Sequence, residues 1–145
     1  MPSVSDIMTT DVQVIQPHDT LRRAATLMHE LDIGALPVCD GSRLRGMLTD
    51  RDIAVYGVAQ GLKPDDACVS DVMTKDIVYC TGDQDVEQAM RLMGDKQVRR
   101  LPVVDNDKNL IGIISLGDLA VRQRGNIAQT VREVSEPDGV SEARL

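Results

Sequence analysis

The sequence predicts an α+β fold of two pseudo-symmetric repeats, each ordered strand, helix, strand, strand, helix, packed through their sheets. Three observations carry this reading. The chain repeats itself at an offset of 65 residues: Val4-Ser-Asp-Ile-Met-Thr-Thr-Asp11 aligns with Val69-Ser-Asp-Val-Met-Thr-Lys-Asp76, and Leu36-Pro-Val-Cys-Asp40 with Leu101-Pro-Val-Val-Asp105. Each copy joins short β-branched runs to one apolar stripe of helical period. The third observation is size. A unit of about 60 residues buries only about 60% of its unfolded surface, so two copies in 145 residues are expected to share one core. Two copies at this long period indicate a duplication, not a solenoid.

The elements follow in order. A strand is expected over Val12 to Ile15, with Ile77 to Cys80 as its copy. A turn at Pro17 or Gly82 leads into a helix. Its apolar stripe is Leu21, Ala24, Ala25, Leu27, Met28 and Leu31, and in the second copy Val86, Ala89, Met90 and Met93. Ala35 to Cys39 and Leu44 to Leu48 then form a hairpin through Asp40-Gly41. The second hairpin joins Leu101 to Val104 with Leu110 to Ile114 through Asp105 to Asn109. A last helix begins near Asp50 or Leu116. Gly61 to Asp66 links the copies, which gives domains over 7–66 and 72–128 and a polar tail over 129–145, poorly ordered towards its end.

Composition removes several functions. The chain is 42% hydrophobic and 27% charged, with 16 Lys and Arg against 23 Asp and Glu and a net charge of −7. It has two Tyr and no Trp or Phe. The core must be aliphatic, and the aromatic platforms that stack single-stranded bases are missing. The acidity opposes a phosphate backbone, so no nucleic acid is expected as partner. No apolar run approaches the roughly 20 residues of a membrane span. The first residues show no signal-peptide pattern, and Cys39, Cys68 and Cys80 form no C-x-x-C pair, so reduced thiols in a cytoplasm are expected. These thiols read as small buried side chains rather than a regulatory disulfide.

The best-repeated polar residues fall at the junction of the last strand with the last helix: Gly46-x-x-Thr49-x-x-Asp52 and Gly112-x-x-Ser115-x-x-Asp118. One reading is structural. A hydroxyl at the N-cap and an acid three residues on make a capping box, although Asp is shorter than the usual Glu or Gln. The other reading is a ligand site. A helix N-terminus offers free N–H groups to a phosphate, Thr49 or Ser115 adds a donor, and the carboxylate of Asp52 or Asp118 suits vicinal ribose hydroxyls. Gly46 and Gly112 would let a ligand approach the strand backbone.

These motifs, with Asp6-Ile-Met, Asp71-Val-Met, Leu36-Pro-Val and Leu101-Pro-Val, resemble a tandem pair of CBS domains over residues about 5 to 124. Gly34-Ala-Leu-Pro-Val and the run from Gly46 to Ile53 are also similar to small stand-alone bacterial members of the hypoxic response protein type. The resemblance implies a regulatory module, not an enzyme, that binds AMP, ADP or ATP, less readily S-adenosylmethionine, in a cleft between the copies. It implies ribose on Asp52 and Asp118, phosphate near Thr49 and Ser115, and the base beside Gly34 to Pro37 and Arg99 to Pro102. It also implies a homodimer, signalling to another protein chain by conformational change. A scaffold that binds no nucleotide and acts through protein contacts is the alternative. An enzyme using Asp and Thr as hydrolytic groups is the third reading.

The copies differ in charge. Residues 1–66 carry 6 basic and 10 acidic groups, residues 67–124 carry 8 and 9. Lys96, Arg99 and Arg100 precede Pro102, where the first copy has Leu31, Gly34 and Ala35. A single nucleotide would therefore choose the Asp118 site, with Arg99 or Arg100 on phosphate; the other reading of these cations is solvated strand-end charge. Elsewhere no site is expected. His18 and His29, the two histidines, have no ligand-spaced partners for a metal, no phosphate-binding Gly-x-x-x-x-Gly-Lys loop is present, and the paired Met8/Met73 and Met28/Met93 read as packing.

Overall fold

The computed structural model describes residues 2–122 and 132–135, apart from the side chains of Val121 and Arg122. Its elements are helices α1 (Val4–Ile7) and α2 (Leu21–Leu31), strands β1 (Ala35–Asp40) and β2 (Arg43–Thr49), and a short α3 (Asp50–Asp52). The last continues as a π turn, Ile53–Gly57, and a 3-10 turn, Val58–Gln60; a second 3-10 turn spans Val69–Asp71. Then come β3 (Cys80–Thr81), α4 (Val86–Lys96), β4 (Arg100–Val104), β5 (Leu110–Ser115) and α5 (Leu116–Arg122).

The chain forms two compact units that cut it differently from the repeat. One is continuous, Gln13–Ile77; the other is split, Met1–Val12 with Val78–Leu145. The leading segment of each copy thus folds with the other copy. In the continuous unit, Ile15 lies parallel to Val38, β1 pairs antiparallel with β2, and Thr74 bridges to Met47 on the far edge. In the split unit, β3 lies parallel to β4, β4 pairs antiparallel with β5, and Thr9 bridges to Ile113. The register slips between Val38 and Cys39 in one hairpin and between Val103 and Val104 in the other, 65 residues on. The repeat extends to this irregularity.

Hydrogen bonds repeat likewise. Thr20 Oγ1 accepts the Arg23 N–H at 3.1 Å and caps α2; Asp85 Oδ1 accepts the Gln88 N–H at 2.8 Å and caps α4. Both helices end on a left-handed residue, Asp32 (φ 54°) and Gln97 (φ 56°). There Ile33 and Val98 donate back to Met28 O and Met93 O, each at 3.0 Å, which satisfies carbonyls that a helix end leaves open.

Each unit has its own cluster of buried side chains. Ile15, Leu21, Leu36, Leu48 and Val69 are among those of the continuous unit, and Val4, Met90, Met93, Leu101 and Ile114 of the split unit. Two expectations are corrected. The first strand of each copy is far shorter than expected, because only Ile15, and Cys80 with Thr81, lie within reach of the neighbouring strand. On α2 the buried stripe is Leu21, Ala24 and Met28; Ala25 stands at its margin and Leu31 at the helix end, and both are exposed. The tail expected over 129–145 is described only at 132–135, a helical turn whose Val134 is buried; the rest lies outside the described residues.

The glycines explain the exchange of segments. A Cβ on Gly46 would lie 2.6 Å from the Thr74 carbonyl oxygen, and one on Gly112 would lie 2.6 Å from Met8 Sδ and 2.8 Å from Thr9 O. At Gly117, by contrast, a Cβ meets nothing nearer than Ser115 Oγ at 3.6 Å. Gly46→Ala and Gly112→Ala are therefore expected to destabilise the protein by about 1–3 kcal/mol. Gly117→Ala should stabilise it by about 0.5–1 kcal/mol through helix propensity. Urea unfolding of the three variants measures the contrast, and equal midpoints would refute it.

Candidate functional site

In both copies the chain leaves a strand and enters a helix through one hydrogen-bonded box. Thr49 N–H donates to Asp52 Oδ2 at 3.0 Å, and Asp52 N–H donates to Thr49 Oγ1 at 3.0 Å. In the second copy Ser115 N–H donates to Asp118 Oδ2 at 3.0 Å, and Asp118 N–H donates to Ser115 Oγ at 3.2 Å. Asp reaches the N-cap amide despite its length. Asp52 is 8% exposed, whereas Asp118 is half-buried. Each box occupies one carboxylate oxygen. A carboxylate offers about four lone-pair sites, so capping and ligand binding can coexist on the same side chain.

The junctions also gather the other candidate residues. Asp50 N–H donates to Gly34 O at 2.9 Å, and Leu116 N–H to Arg99 O at 2.9 Å. Thr49 faces Ala35 across the hairpin and Ser115 faces Arg100. The split unit therefore brings Arg99, Arg100, Ser115 and Asp118 together, with both guanidinium-bearing residues exposed. Pro37 and Pro102 lie buried inside their strands, opposite Met47 and Ile113.

On the Cβ side of Gly46 and Gly112 the space is taken by the chain itself. Met47 and Thr74 exchange backbone hydrogen bonds at 3.0 and 2.9 Å, and Thr9 and Ile113 at 2.8 and 2.9 Å. Met73 Sδ and Met8 Sδ pack against the same two glycines. A residue the sequence reading missed is Asp50. Its Oδ1 accepts the Arg51 N–H at 2.8 Å, and its carboxylate lies over Gly34, where an added Cβ would meet Oδ2 at 3.1 Å. The corresponding residues of the second copy are Leu116 and Arg99. The signal was the loss of the acid at that helix position between copies.

Cysteine and histidine chemistry is confined. Cys39 and Cys80 are 1% and 2% exposed, and burial pushes both thiols up to about 11. Cys68 is half-buried, and its N–H donates to Asp71 Oδ2 at 2.8 Å. All three thiols are free. Both histidines are exposed. Among the described residues no group of three or more His, Cys, Asp or Glu is placed to hold a metal ion, and no helix is long and apolar enough to cross a membrane.

Fold and site together define a class: a duplicated α+β unit with a capped strand-to-helix junction in each copy. The chain belongs to the CBS domain family, which matches it twice, over residues 4–58 and 69–125. It is 47% identical to the CBS domain-containing protein YhcV of Bacillus subtilis over 126 residues, 87% of this chain and 89% of that one. It is 39% identical to hypoxic response protein 1 of Mycobacterium tuberculosis over 139 residues, 94% of this chain and 96% of that one.

Solved structures agree. Hypoxic Response Protein I with two coordinated zinc ions matches with a TM-score of 0.76 at 41% identity, covering 83% of this chain and 98% of that one. CBSX2 in complex with AMP matches at 0.73 and 31%, covering 83% and 95%. The CBS domain pair of MJ0100, in complex with 5-methylthioadenosine and S-adenosyl-L-methionine, matches at 0.68 and 26%, covering 83% and 94%.

Burial sets an order of thiol reactivity. A thiol reagent at pH 8 is expected to modify Cys68 first, and Cys39 and Cys80 only on unfolding; mass spectrometry of the native protein reads this, and three equal rates would contradict it. Because burial raises both folded-state thiols, their contribution to stability is complete below the ordinary value of 9. It is lost as pH rises from 9 towards about 11. Unfolding midpoints across that window should fall, and should fall less in a Cys39→Ala, Cys80→Ala double variant.

Proposed function

We propose that this CBS pair is a regulatory module that binds an adenosyl ligand (AMP, ADP or ATP, with S-adenosylmethionine less favoured) at its strand-to-helix junctions. The observation that carries the reading is the grouping of Arg99, Arg100, Ser115 and Asp118 in one unit. Asp118 has acceptor capacity beyond its capping bond and is already oriented by it, so a ribose hydroxyl meets a preorganised group. The Ser115 hydroxyl and the Gly117 N–H, whose neighbours Leu116 and Asp118 already donate to Arg99 O and Ser115 Oγ, suit a phosphate oxygen. Arg99 and Arg100 supply a guanidinium for the phosphate, a charge-assisted contact that salt weakens because both residues are exposed.

The Thr49–Asp52 junction shares the box but carries Asp50 where the second copy has Leu116 and Gly34 where it has Arg99. A phosphate there would meet the Asp50 carboxylate beside the single cation Arg51, where the second copy offers Arg99 and Arg100 with no such acid, so AMP is assigned to the Asp118 junction. The two structural neighbours whose complexes contain AMP, or 5-methylthioadenosine and S-adenosyl-L-methionine, support an adenosyl ligand. A cytoplasmic homodimer that passes the signal to a separate effector protein completes the proposal; ligand shifts its conformation only in proportion to differential affinity.

A second reading has its own observation. Both Ser/Thr and Asp pairs are accounted for by reciprocal capping bonds alone, as in a scaffold that binds no nucleotide. Capping predicts that Ser115→Ala or Thr49→Ala costs about 1 kcal/mol of stability whether or not a ligand binds.

Titration with AMP and ATP separates the readings. The intact protein at 100 times Kd should gain about 2.7 kcal/mol of stability. Asp118→Ala should abolish the gain, and Asp52→Ala should leave most of it. Equal losses in both variants would contradict the assignment to one junction. A flat thermal response to AMP, ADP, ATP and S-adenosylmethionine would select the scaffold.

A further inference from the structure

We infer that the exposed face of residues 53–62, in the continuous unit, is where a second copy of this chain docks, run against run and antiparallel, about a twofold axis near Gly57 and Val58. The inference rests on the homodimer proposed above and not on its ligand. Residues 53–62 are the longest uncharged run of the sequence, in a chain that is 27% charged. They form the π turn Ile53–Gly57 and the 3-10 turn Val58–Gln60. Leu62 N–H donates back to Gly57 O at 3.0 Å, which ties the end of the run to its middle. Gly57 seats the run on its unit: it is buried, and a Cβ there would lie 3.0 Å from Leu21 Cδ1. Its neighbours on both sides face solvent. Val58 is 63% exposed and Tyr56 57%, the two most exposed large apolar side chains among the described residues, and Leu62 is 36% exposed.

Single exposed apolar side chains are ordinary. The second copy shows what is unusual about these. Carried on from Asp52 and Asp118, the repeat sets Ile53-Ala-Val against Leu119-Ala-Val, then Tyr56 against Arg122 and Val58 against Arg124. At the two positions one copy has cations and the other has large apolar residues. A charge-free centre that includes Tyr is the composition of a buried interface.

The charge of the chain selects the occupant. Each copy carries −7, so two copies repel and their contact must leave out acidic groups, as this run does. Its flanks carry both signs: Asp50 and Arg51 before it, Lys63 and Asp66 after it, all exposed. Antiparallel packing sets the leading flank of one copy beside the trailing flank of the other, Asp50 with Lys63 and Arg51 with Asp66. Parallel packing would set like charges together. The twofold axis makes each favourable contact twice.

Sedimentation equilibrium of the full chain tests this. The parent is expected to be a dimer at micromolar concentration, and to remain one in about 1 M NaCl, where surface charge is screened. Tyr56→Arg combined with Val58→Arg, the residues of the second copy, should weaken the dimer roughly 30-fold or more. Its unfolding midpoint should stay near that of the parent, because both positions are exposed. Tyr79→Arg, at an exposed aromatic of the split unit, should leave the dimer intact. Val58→Cys should form a disulfide between copies on oxidation with diamide, and Tyr79→Cys should not. A double variant as dimeric as the parent would overturn this face and leave the homodimer standing. A monomeric parent would overturn both, and would leave the face to an unlike protein chain.

Discussion

Each sheet is completed by a single pair of backbone hydrogen bonds to a segment from elsewhere in the chain. Thr74 closes the edge of β2 at Met47, and Thr9 closes the edge of β5 at Ile113. Both contacts need a residue without a side chain one position earlier on the strand, Gly46 or Gly112. Much else depends on them. With the bonds of Val4 and Ser5 to Gln84 and Gly82, and of Val69 and Ser70 to Asp19 and Pro17, they hold Met1–Val12 with the second copy and the segment before Ile77 with the first. They bring Val4 into one cluster and Val69 and Val72 into the other, all nearly inaccessible. They also fill the space on the Cβ side of each of these glycines. The two closures are unequal in chain length: Met47 to Thr74 spans 27 residues and Thr9 to Ile113 spans 104. The longer loop costs about 1.2 kcal/mol more in closure entropy, so the continuous unit has the easier closure.

Most of the fold was legible because the repeat is a repeat of backbone chemistry. The offset of 65 found from Leu36-Pro-Val and Leu101-Pro-Val also relates the strand irregularities at Val38 and Val103 and the helix caps Thr20 and Asp85. The ownership of the leading segments was not legible. A repeat aligns Val4 with Val69 but does not say which copy either one packs against, and chain adjacency suggests the wrong partner. The signal lay in Gly46 and Gly112, since a glycine inside a strand marks a close backbone approach. The approach is real. The group that makes it is the chain itself.

At the junctions, capping and ligand binding are not alternatives for the same atoms. The bonds from Ser115 N–H to Asp118 and from Asp118 N–H to Ser115 fix the carboxylate with one oxygen engaged. Most of the side-chain entropy that a ligand would otherwise have to remove is already gone in the free protein. A capping box of Asp rather than Glu has a further effect. The shorter acid stays close to the first turn, at the positive end of the helix. The residues that cap well are therefore the residues that would hold a ribose well, and sequence spacing alone cannot separate the two.

What separates the copies is the set of positions that capping leaves free. The glycines, the caps and the hairpin irregularities are shared because backbone geometry requires them in both places. Gly34 against Arg99 and Asp50 against Leu116 are different, and neither pair belongs to the Ser/Thr–Asp box that both copies share. Duplication has kept the backbone devices and varied what surrounds them. One junction sets the Asp50 carboxylate beside Arg51, and the other has Arg99 and Arg100 with Leu116 in the place of the acid. With no Trp or Phe and two Tyr in the chain, an adenosyl ligand of the kind proposed would have to be held by aliphatic surface and backbone rather than by stacking. Discrimination between such ligands would then fall to the charges that differ. On that proposal, the asymmetry between Gly34 with Asp50 and Arg99 with Leu116 is where choice of ligand would be decided.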